Sequence, residues 1–393
     1  MSPDMTDMNL PDDQTIASSK VPAGEPGGEL LIEVKNLEVR FPIRKKKLFS
    51  SETAYLRAVD DVSFDIRRGE TVGLVGESGS GKTTVGRAIL RAIDPTAGDV
   101  IFHTREHDIY LGELEGEELR HFRKKMGMVF SEGPHSIANM TSDILRAFRP
   151  RMSLVFQDPY SSLNPRMTVR DIIAEPLVAS GMMKNREKID ERVRDIASRC
   201  KLNLEHLRRF PHAFSGGQRQ RICIARALVT RPDFVVCDES VSALDVSIQA
   251  EIVNLLKDLQ EEMGVAFLFI AHDLSVVAQM SHRVAVMYVG KFVEYAPTES
   301  LFYTPRHPYT HALLSAIPTI DPDETFDPIR LEGEIPNPLA APSGCRFHTR
   351  CPYATEQCAS TIPEWQEVAP EHFVACHRVA EFDFSRQRKD APE

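Results

Sequence analysis

The period of the hydrophobic positions changes several times along the chain, and each change marks a candidate element. Residues 1 to 28 show no apolar period and are rich in Asp, Pro, Ser and Gly, so a disordered tail is expected there. From Leu30 the pattern becomes strand-like. "LLIEVKNLEVRF" and "LRAVDDVSFDI" read as strands, with "RKKKLFSSETAY" as a basic loop between them. The apolar run Val72–Val75 then enters a glycine-rich stretch and a helix with apolar positions at Val85, Ile89 and Ile93. Between about 166 and 230 the period is helical, with Arg- and Glu-rich faces. "FVVCDES" and "VAFLFIAHD" are short unbroken apolar runs ending in acidic residues or His. Such runs suit parallel strands buried on both faces, with the chemistry at their carboxyl ends, and make the fold class α/β. After about residue 300, "TPRHPYT", "IPTIDPDE" and "IPNPLAAPSG" raise the proline density. A separate, loop-rich C-terminal region is expected from there to the end.

"FRKKMGMVFSE" (122–132) and "FRPRMSLVFQD" (148–158) match at an offset of 26 residues, as a tandem duplication or surface insertion would. Only the second copy carries Gln157, so it is the one expected to supply a core strand. The chain has 393 residues, too many for one compact core, and two or three domains are expected. The formal charge is −10, with 47 basic and 57 acidic residues, which gives no general reason to expect a nucleic-acid partner. The longest apolar run, "GVAFLFIA" at 264–271, is far short of the ~20 residues a spanning helix needs. The first residues are acidic and lack the basic-then-apolar order of a secretion signal. A cytosolic setting is expected, where a cysteine cluster more often binds metal than forms disulfides.

"GESGSGKT" (Gly76 to Thr83) fits the pattern of a phosphate-binding loop. Glycines let successive backbone N–H groups wrap phosphates without Cβ clashes, and the helix that follows points its positive end at them. Gly76, Ser78, Gly79, Ser80, Gly81 and Thr84 are the expected loop contacts. Lys82 is expected on the β- and γ-phosphates and the Thr83 hydroxyl on Mg²⁺. At the end of "FVVCDES", Asp238 can hold the hard cation and Glu239 can orient and deprotonate an attacking water. In "FSGGQRQRICIARAL", Ser215, Gly216, Gly217 and Gln218 open a helix and form a second anion-binding end. One phosphate loop and two phosphate-binding ends fit together if the second end serves a nucleotide held by another subunit.

In this order, "GESGSGKT", "VFQDPYSSLNP", "FSGGQRQR", "FVVCDES", "SALD" and "FIAHD" resemble the ATP-binding subunit of an ABC transporter over about residues 30 to 300. The resemblance implies a RecA-like P-loop NTPase core, an antiparallel β subdomain and a helical subdomain at about 158–230. It also implies a head-to-tail dimer with two ATP molecules between facing motifs. By the same resemblance Gln157 senses Mg²⁺ and the attacking water, and Asp245 connects the two sites across the dimer. His272 holds the γ-phosphate, and Phe41, with Tyr55 as the alternative, stacks on adenine. The partners implied are a second ATPase subunit, identical or related, two transmembrane permeases and an extracytoplasmic solute-binding protein. The place implied is the cytoplasmic face of the cell membrane. A soluble ABC ATPase acting on nucleic acid or ribosomes would usually carry two nucleotide modules or a long coiled-coil insertion, and neither is visible. A metal-dependent regulator with a vestigial ATPase is disfavoured by the complete catalytic set.

The stretch from "TPRHPYTHALLSAIP" through "GCRFHTRCPYATEQC" to "HFVACH" resembles the extension of ATPases of the oligopeptide/dipeptide import branch. That branch handles peptides, and also nickel, glutathione and some sugars. Cys345, Cys351, Cys358 and Cys376, with five, six and seventeen residues between them, can supply one tetrathiolate site. Zinc usually takes close Cys pairs, which are absent, whereas the resemblance implies a [4Fe–4S] cluster. A metal centre would also replace the hydrophobic core that a short, loop-rich region lacks. His307 and His311, four apart, are expected in ordinary packing or surface roles.

Overall fold

The computed structural model describes residues 28–47, 50–104, 133–138, 140, 145, 148–242, 244–317 and 328–385. The expected N-terminal tail and the first copy of the repeat lie outside these residues. Strands β1 (Leu30–Lys47) and β2 (Ser50–Arg67) form a hairpin, and β4 (Ala97–Thr104) and β5 (Gly133–Ser136) extend it to an antiparallel sheet in the order β2-β1-β4-β5. On β1, Ile32, Val34, Leu37 and Val39 are all essentially buried although their spacing breaks strict alternation. A register shift between Val34 and Leu37, with Asn36 at φ 48°, inserts the extra residue that returns the later pair to the core face.

Among the described residues, the stretch expected as a basic loop is strand on both sides. β1 and β2 run on through it, with backbone partners Arg44 and Thr53 and then Lys46 and Ser51. An antiparallel ladder satisfies backbone groups without needing an apolar face, and residues 44–55 contain no Gly or Pro to stop it.

The second sheet has eight strands in the order β11-β12-β10-β9-β3-β8-β7-β6. Its centre, β3 (Thr71–Val75), β8 (Ala266–Ile270) and β7 (Phe234–Asp238), is parallel and buried at every residue. β6 (Met152–Val155) pairs parallel with β7, so the second repeat copy supplies the core strand, as its Gln157 indicated. β9 (Arg283–Tyr288) lies parallel to β3, and β10 (Lys291–Pro297) turns back against it.

Helix α1 (Lys82–Ile89) packs on this sheet so closely that a Cβ on Gly86 would stand 2.8 Å from Val236 Cγ1. The helix stops before Ile93, contrary to the periodicity. The Leu90 N–H caps onto Gly86 O, and Arg91 turns the chain at φ 48°. Ile93 still packs on the core from the following turn. The helical layer expected at about 166–230 holds α2 (Pro159–Ser162), just before it, with α3 (Val169–Ser180), α4 (Arg186–Arg199) and α5 (Gly216–Leu228). Each starts on a side-chain cap, from Asp158, Thr168, Asn185 and Ser215 in turn. Helices α6 (Val246–Met263) and α7 (Leu274–Met280) follow β7 and β8.

The C-terminal region is not separate from the core. The expected boundary at residue 300 falls inside α8 (Thr298–Tyr303), and α9 (Pro308–Ser315) carries the fully buried Tyr309. After α10 (Glu356–Ser360), β11 (Gln366–Ala369) and β12 (His372–Val374) join the eight-stranded sheet through β10. The join is fixed by Glu294, 0% exposed, whose carboxylate accepts from Arg306 N (2.7 Å), His307 N (3.0 Å) and His372 Nε2 (2.7 Å). A buried carboxylate persists only when it is satisfied in this way. Sequence periodicity missed the join because a three-residue strand carries no readable period. His307 caps α9 and is buried, and His311 stacks on Phe384, so both have packing roles.

Candidate nucleotide site

β3 delivers the chain into the loop Gly76–Gly81 at the carboxyl edge of the sheet. Two loop glycines are required by space as well as by backbone angle. A Cβ on Gly76 (φ 150°) would meet Met287 O at 2.1 Å, and one on Gly81 (φ 110°) would meet Ala58 O at 2.2 Å. Lys82, 4% exposed, folds back and donates to Gly76 O (2.8 Å) and Glu77 O (3.0 Å). Burial lowers its pKa below the usual lysine value, while Glu239, Asp238 and Glu77 oppose that fall. A buried ammonium with carbonyl partners and nearby carboxylates is poised to meet an anionic ligand. Thr83, in the first turn of α1, donates its hydroxyl to Asp238 Oδ1 at 2.7 Å. These two hard oxygens, side by side, suit Mg²⁺.

Glu239 follows directly at the end of β7 with φ 46°, a left-handed conformation that disfavours a non-glycine residue. Such a conformation costs ~1 kcal/mol. Its Oε2 accepts from Gln157 Nε2 at 2.6 Å and lies 3.9 Å from His272 Nδ1. Residues at the ends of three adjacent strands therefore converge: Gln157 after β6, Asp238 at the end of β7 with Glu239 just after it, and His272 after β8. His272 is 59% exposed at its side chain and open to a ligand.

Ser215 and Gln218 form a reciprocal capping box at the start of α5, with Gln218 N donating to Ser215 Oγ (3.3 Å) and Ser215 N to Gln218 Oε1 (3.1 Å). Gly217 faces α6, where a Cβ would stand 2.7 Å from Ile248 Cγ2. Asp245 sits at the N-terminus of α6 and makes no side-chain cap. Phe41 is half-buried against the core of the small sheet, whereas Tyr55, on the neighbouring strand, is 58% exposed. Sequence reading missed Arg87, 3.7 Å from Asp238 Oδ2 and one turn along α1 from Thr83. It also missed Glu77, Tyr309 and Arg350, which meet beneath the loop. Arg87 could have been found from its i+4 spacing to Thr83, but nothing in the local sequence links Glu77 to residues more than 230 positions away.

The four C-terminal cysteines, all free thiols, line one cavity together with His307, His348 and His377. Burial pushes the Cys345, Cys351 and Cys376 thiols up to about 11. A preformed metal-binding arrangement is not present: among the described residues, no three His, Cys, Asp or Glu side chains are grouped to hold an ion. Neutral, desolvated thiols have no mutual attraction that would draw them to one centre.

This fold and this site together define an ABC-type phosphate-loop ATPase. The "ABC transporter" family matches residues 59–242, and the "Oligopeptide/dipeptide transporter, C-terminal region" family matches residues 293–358. A peptide import ATP-binding protein of Brucella ovis is 48% identical over 332 residues, covering 84% of this chain and 95% of the relative. The oligopeptide transport ATP-binding protein AppF of Bacillus subtilis is 45% identical over 352 residues, covering 89% and 97%. The solved dimer of a bacterial ABC transporter cassette aligns at a TM-score of 0.52 and 25% identity, over 68% of this chain and 99% of that one. A dimeric ATP-binding cassette in a post-hydrolysis state, bound to ADP and Pi, aligns at 0.52 and 24% identity over the same shares. The chain belongs to the ATP-binding subunits of ABC transporters of the oligopeptide/dipeptide import type, and its activity is transport-coupled ATP hydrolysis. Among the described residues no helix is long and apolar enough to cross a membrane.

Proposed function

We propose that this chain works at the cytoplasmic face of a cell membrane, paired with a second ATPase subunit beneath two permeases that receive peptides from a solute-binding protein. The observation that carries this reading is the Gln157–Glu239–His272 group beside Thr83 and Asp238, on a chain whose Ser215 capping box is turned to solvent. In this reading the loop N–H groups and Lys82 hold the phosphates of ATP. Glu239 takes the proton of the attacking water, Gln157 orients that carboxylate, and His272 steadies the γ-phosphate. Ser215, Gly216 and Gly217 face the nucleotide of the partner subunit, and Asp245 links the two sites. Adenine is assigned to Phe41, with the exposed Tyr55 as its competitor. Mg²⁺, held by Thr83 and Asp238 with Gln157 nearby, would neutralise charge on the phosphates.

Reconstitution of the chain with its permeases in proteoliposomes tests the solute class. Peptide-loaded binding protein is expected to raise ATP hydrolysis. Stimulation by nickel, glutathione or sugars, with none by any peptide, would contradict it.

The finer reading of the cysteine cavity is that Cys345, Cys351, Cys358 and Cys376 hold a [4Fe–4S] cluster. The four thiols line one cavity and match that group in number and kind, but they are not grouped around one centre, so the cluster would have to draw them together as it bound. Anaerobically purified protein is then brown and contains iron, and the colour is lost in a Cys345→Ser, Cys351→Ser variant. Colourless wild-type protein with stoichiometric zinc would replace the cluster with a zinc site.

A further inference from the structure

Glu77, the first variable residue of the phosphate loop, is gripped at three points. Its carbonyl accepts from Lys82 Nζ at 3.0 Å, which ties it to the lysine that meets ATP. Its N–H donates to the hydroxyl of Tyr309 on α9 at 3.1 Å. Its carboxylate Oε2 accepts from Arg350 Nη1 at 2.7 Å. The last two partners both come from the C-terminal region, 232 and 273 residues further along the chain.

The segment that carries Arg350 has two faces. Cys345 and Cys351 border the cysteine cavity. Arg346 and Arg350 reach instead toward the nucleotide core, where Arg346 bonds Asp60 and Val289 O. Phe347, 1% exposed, packs its ring 5.3 Å from those of both Tyr309 and Tyr288. The side chain of Arg350 is 9% exposed. Two nearly buried arginines and a buried tyrosine hydroxyl are costly to place unless their partners are fixed, so the contacts hold the loop as firmly as they hold the region. Phosphate binding by a loop depends on backbone N–H groups already pointing inward, because ordering them on binding weakens affinity.

We propose that Arg350 and Tyr309 are positioning residues for the phosphate loop, so that the C-terminal cysteine segment sets the affinity of the nucleotide site through Glu77. The proposal rests on the nucleotide reading above and concerns that site's regulation by a region outside the cassette.

The test is binding of MANT-ATP with Mg²⁺ to the full-length chain, read by anisotropy. Emission from the lone tryptophan, Trp365, reports whether the C-terminal region stays folded. Arg350→Gln and Tyr309→Phe are each expected to weaken binding by about tenfold, the loss of one hydrogen bond that orders the loop. Arg350→Lys keeps the charge and is expected to restore most of the affinity. Glu77→Gln combined with Arg350→Gln is expected to bind no more weakly than either alone, since both remove the same contact. Arg378→Gln, which cuts bonds to Glu381 and Tyr353 O inside the same region, is expected to leave affinity unchanged. Tyr309→Phe retains the ring packing, so it decides the question if Arg350→Gln unfolds the region. Affinity within twofold of wild type in Tyr309→Phe, with native Trp365 emission, overturns the clamp, as does full additivity of Glu77→Gln and Arg350→Gln. Wild-type chain that binds no MANT-ATP sinks the nucleotide reading and the clamp together; normal wild-type binding with unaffected variants sinks the clamp alone.

Discussion

At the scale of single residues, the chemistry depends on where each charge is allowed to sit. His282 lies just before β9, where its Nδ1 accepts from Thr71 N at 3.0 Å and its backbone N–H donates to Thr71 O at 2.8 Å. The acceptor role requires neutral imidazole. Burial lowers its pKa below 6.5, Lys257 and Arg283 add to that fall, and Glu70 opposes it. In the unfolded chain the ring takes up a proton near its ordinary value, and in the folded chain it resists. The stabilisation is therefore complete above about pH 6.5 and is lost as pH falls through the lower folded value. The urea midpoint of wild type is expected to drop as pH falls below about 6.5, and His282→Gln is expected to flatten that part of the drop. Equal pH slopes in the two proteins would remove His282 from the account. The catalytic candidates were legible in sequence because each is tied to its neighbours by a fixed short spacing. Lys82 and Thr83 are fixed by the glycines before them, and Asp238 and Glu239 by the apolar strand they end. Glu77, Tyr309 and Arg350 were not legible, since a contact spanning more than 230 residues leaves no local trace.

At the scale of elements, strands and helices were read with different success for a physical reason. Fully buried β3, β7 and β8 must be apolar at every position, so their sequences stand out. The outer part of the β1–β2 hairpin is polar in sequence and β12 is only three residues long, so neither offers a readable apolar run. Helix α5 was legible from its first residues, Ser215 to Gln218, because the capping box is a sequence pattern as well as a structure. Those residues have a local duty as the cap and, in the proposed dimer, a second one toward the partner. Ser215→Ala is expected to lower the stability of the isolated chain by about 1 kcal/mol in urea denaturation. It is also expected to reduce ATP turnover by the assembled complex, which the local loss alone would not do. Full turnover by the complex would leave Ser215 with only the cap.

At the scale of the whole molecule, the C-terminal region adds two strands to the larger sheet and sets Arg350 against the phosphate loop. The sequence pattern located the layers and their order, but separated the last region at residue 300. The structure joins it through Glu294 and His372 below and through Arg346 and Arg350 above. The nucleotide loop is therefore braced from outside the cassette, and a subunit of this shape is asymmetric. The phosphate loop with Glu239 and the start of α5 lie on different elements, and in the proposed dimer each would be completed by a second subunit.

The most direct measurement is uptake of a labelled oligopeptide by cells whose only copy of this chain is wild type or Glu239→Gln. We expect the variant to assemble with its permeases and retain ATP, while uptake falls by at least about a hundredfold, the usual range for losing a general base. Undiminished uptake in the Glu239→Gln cells would contradict the assignment of hydrolysis to this carboxylate, and with it the coupling of this chain to import.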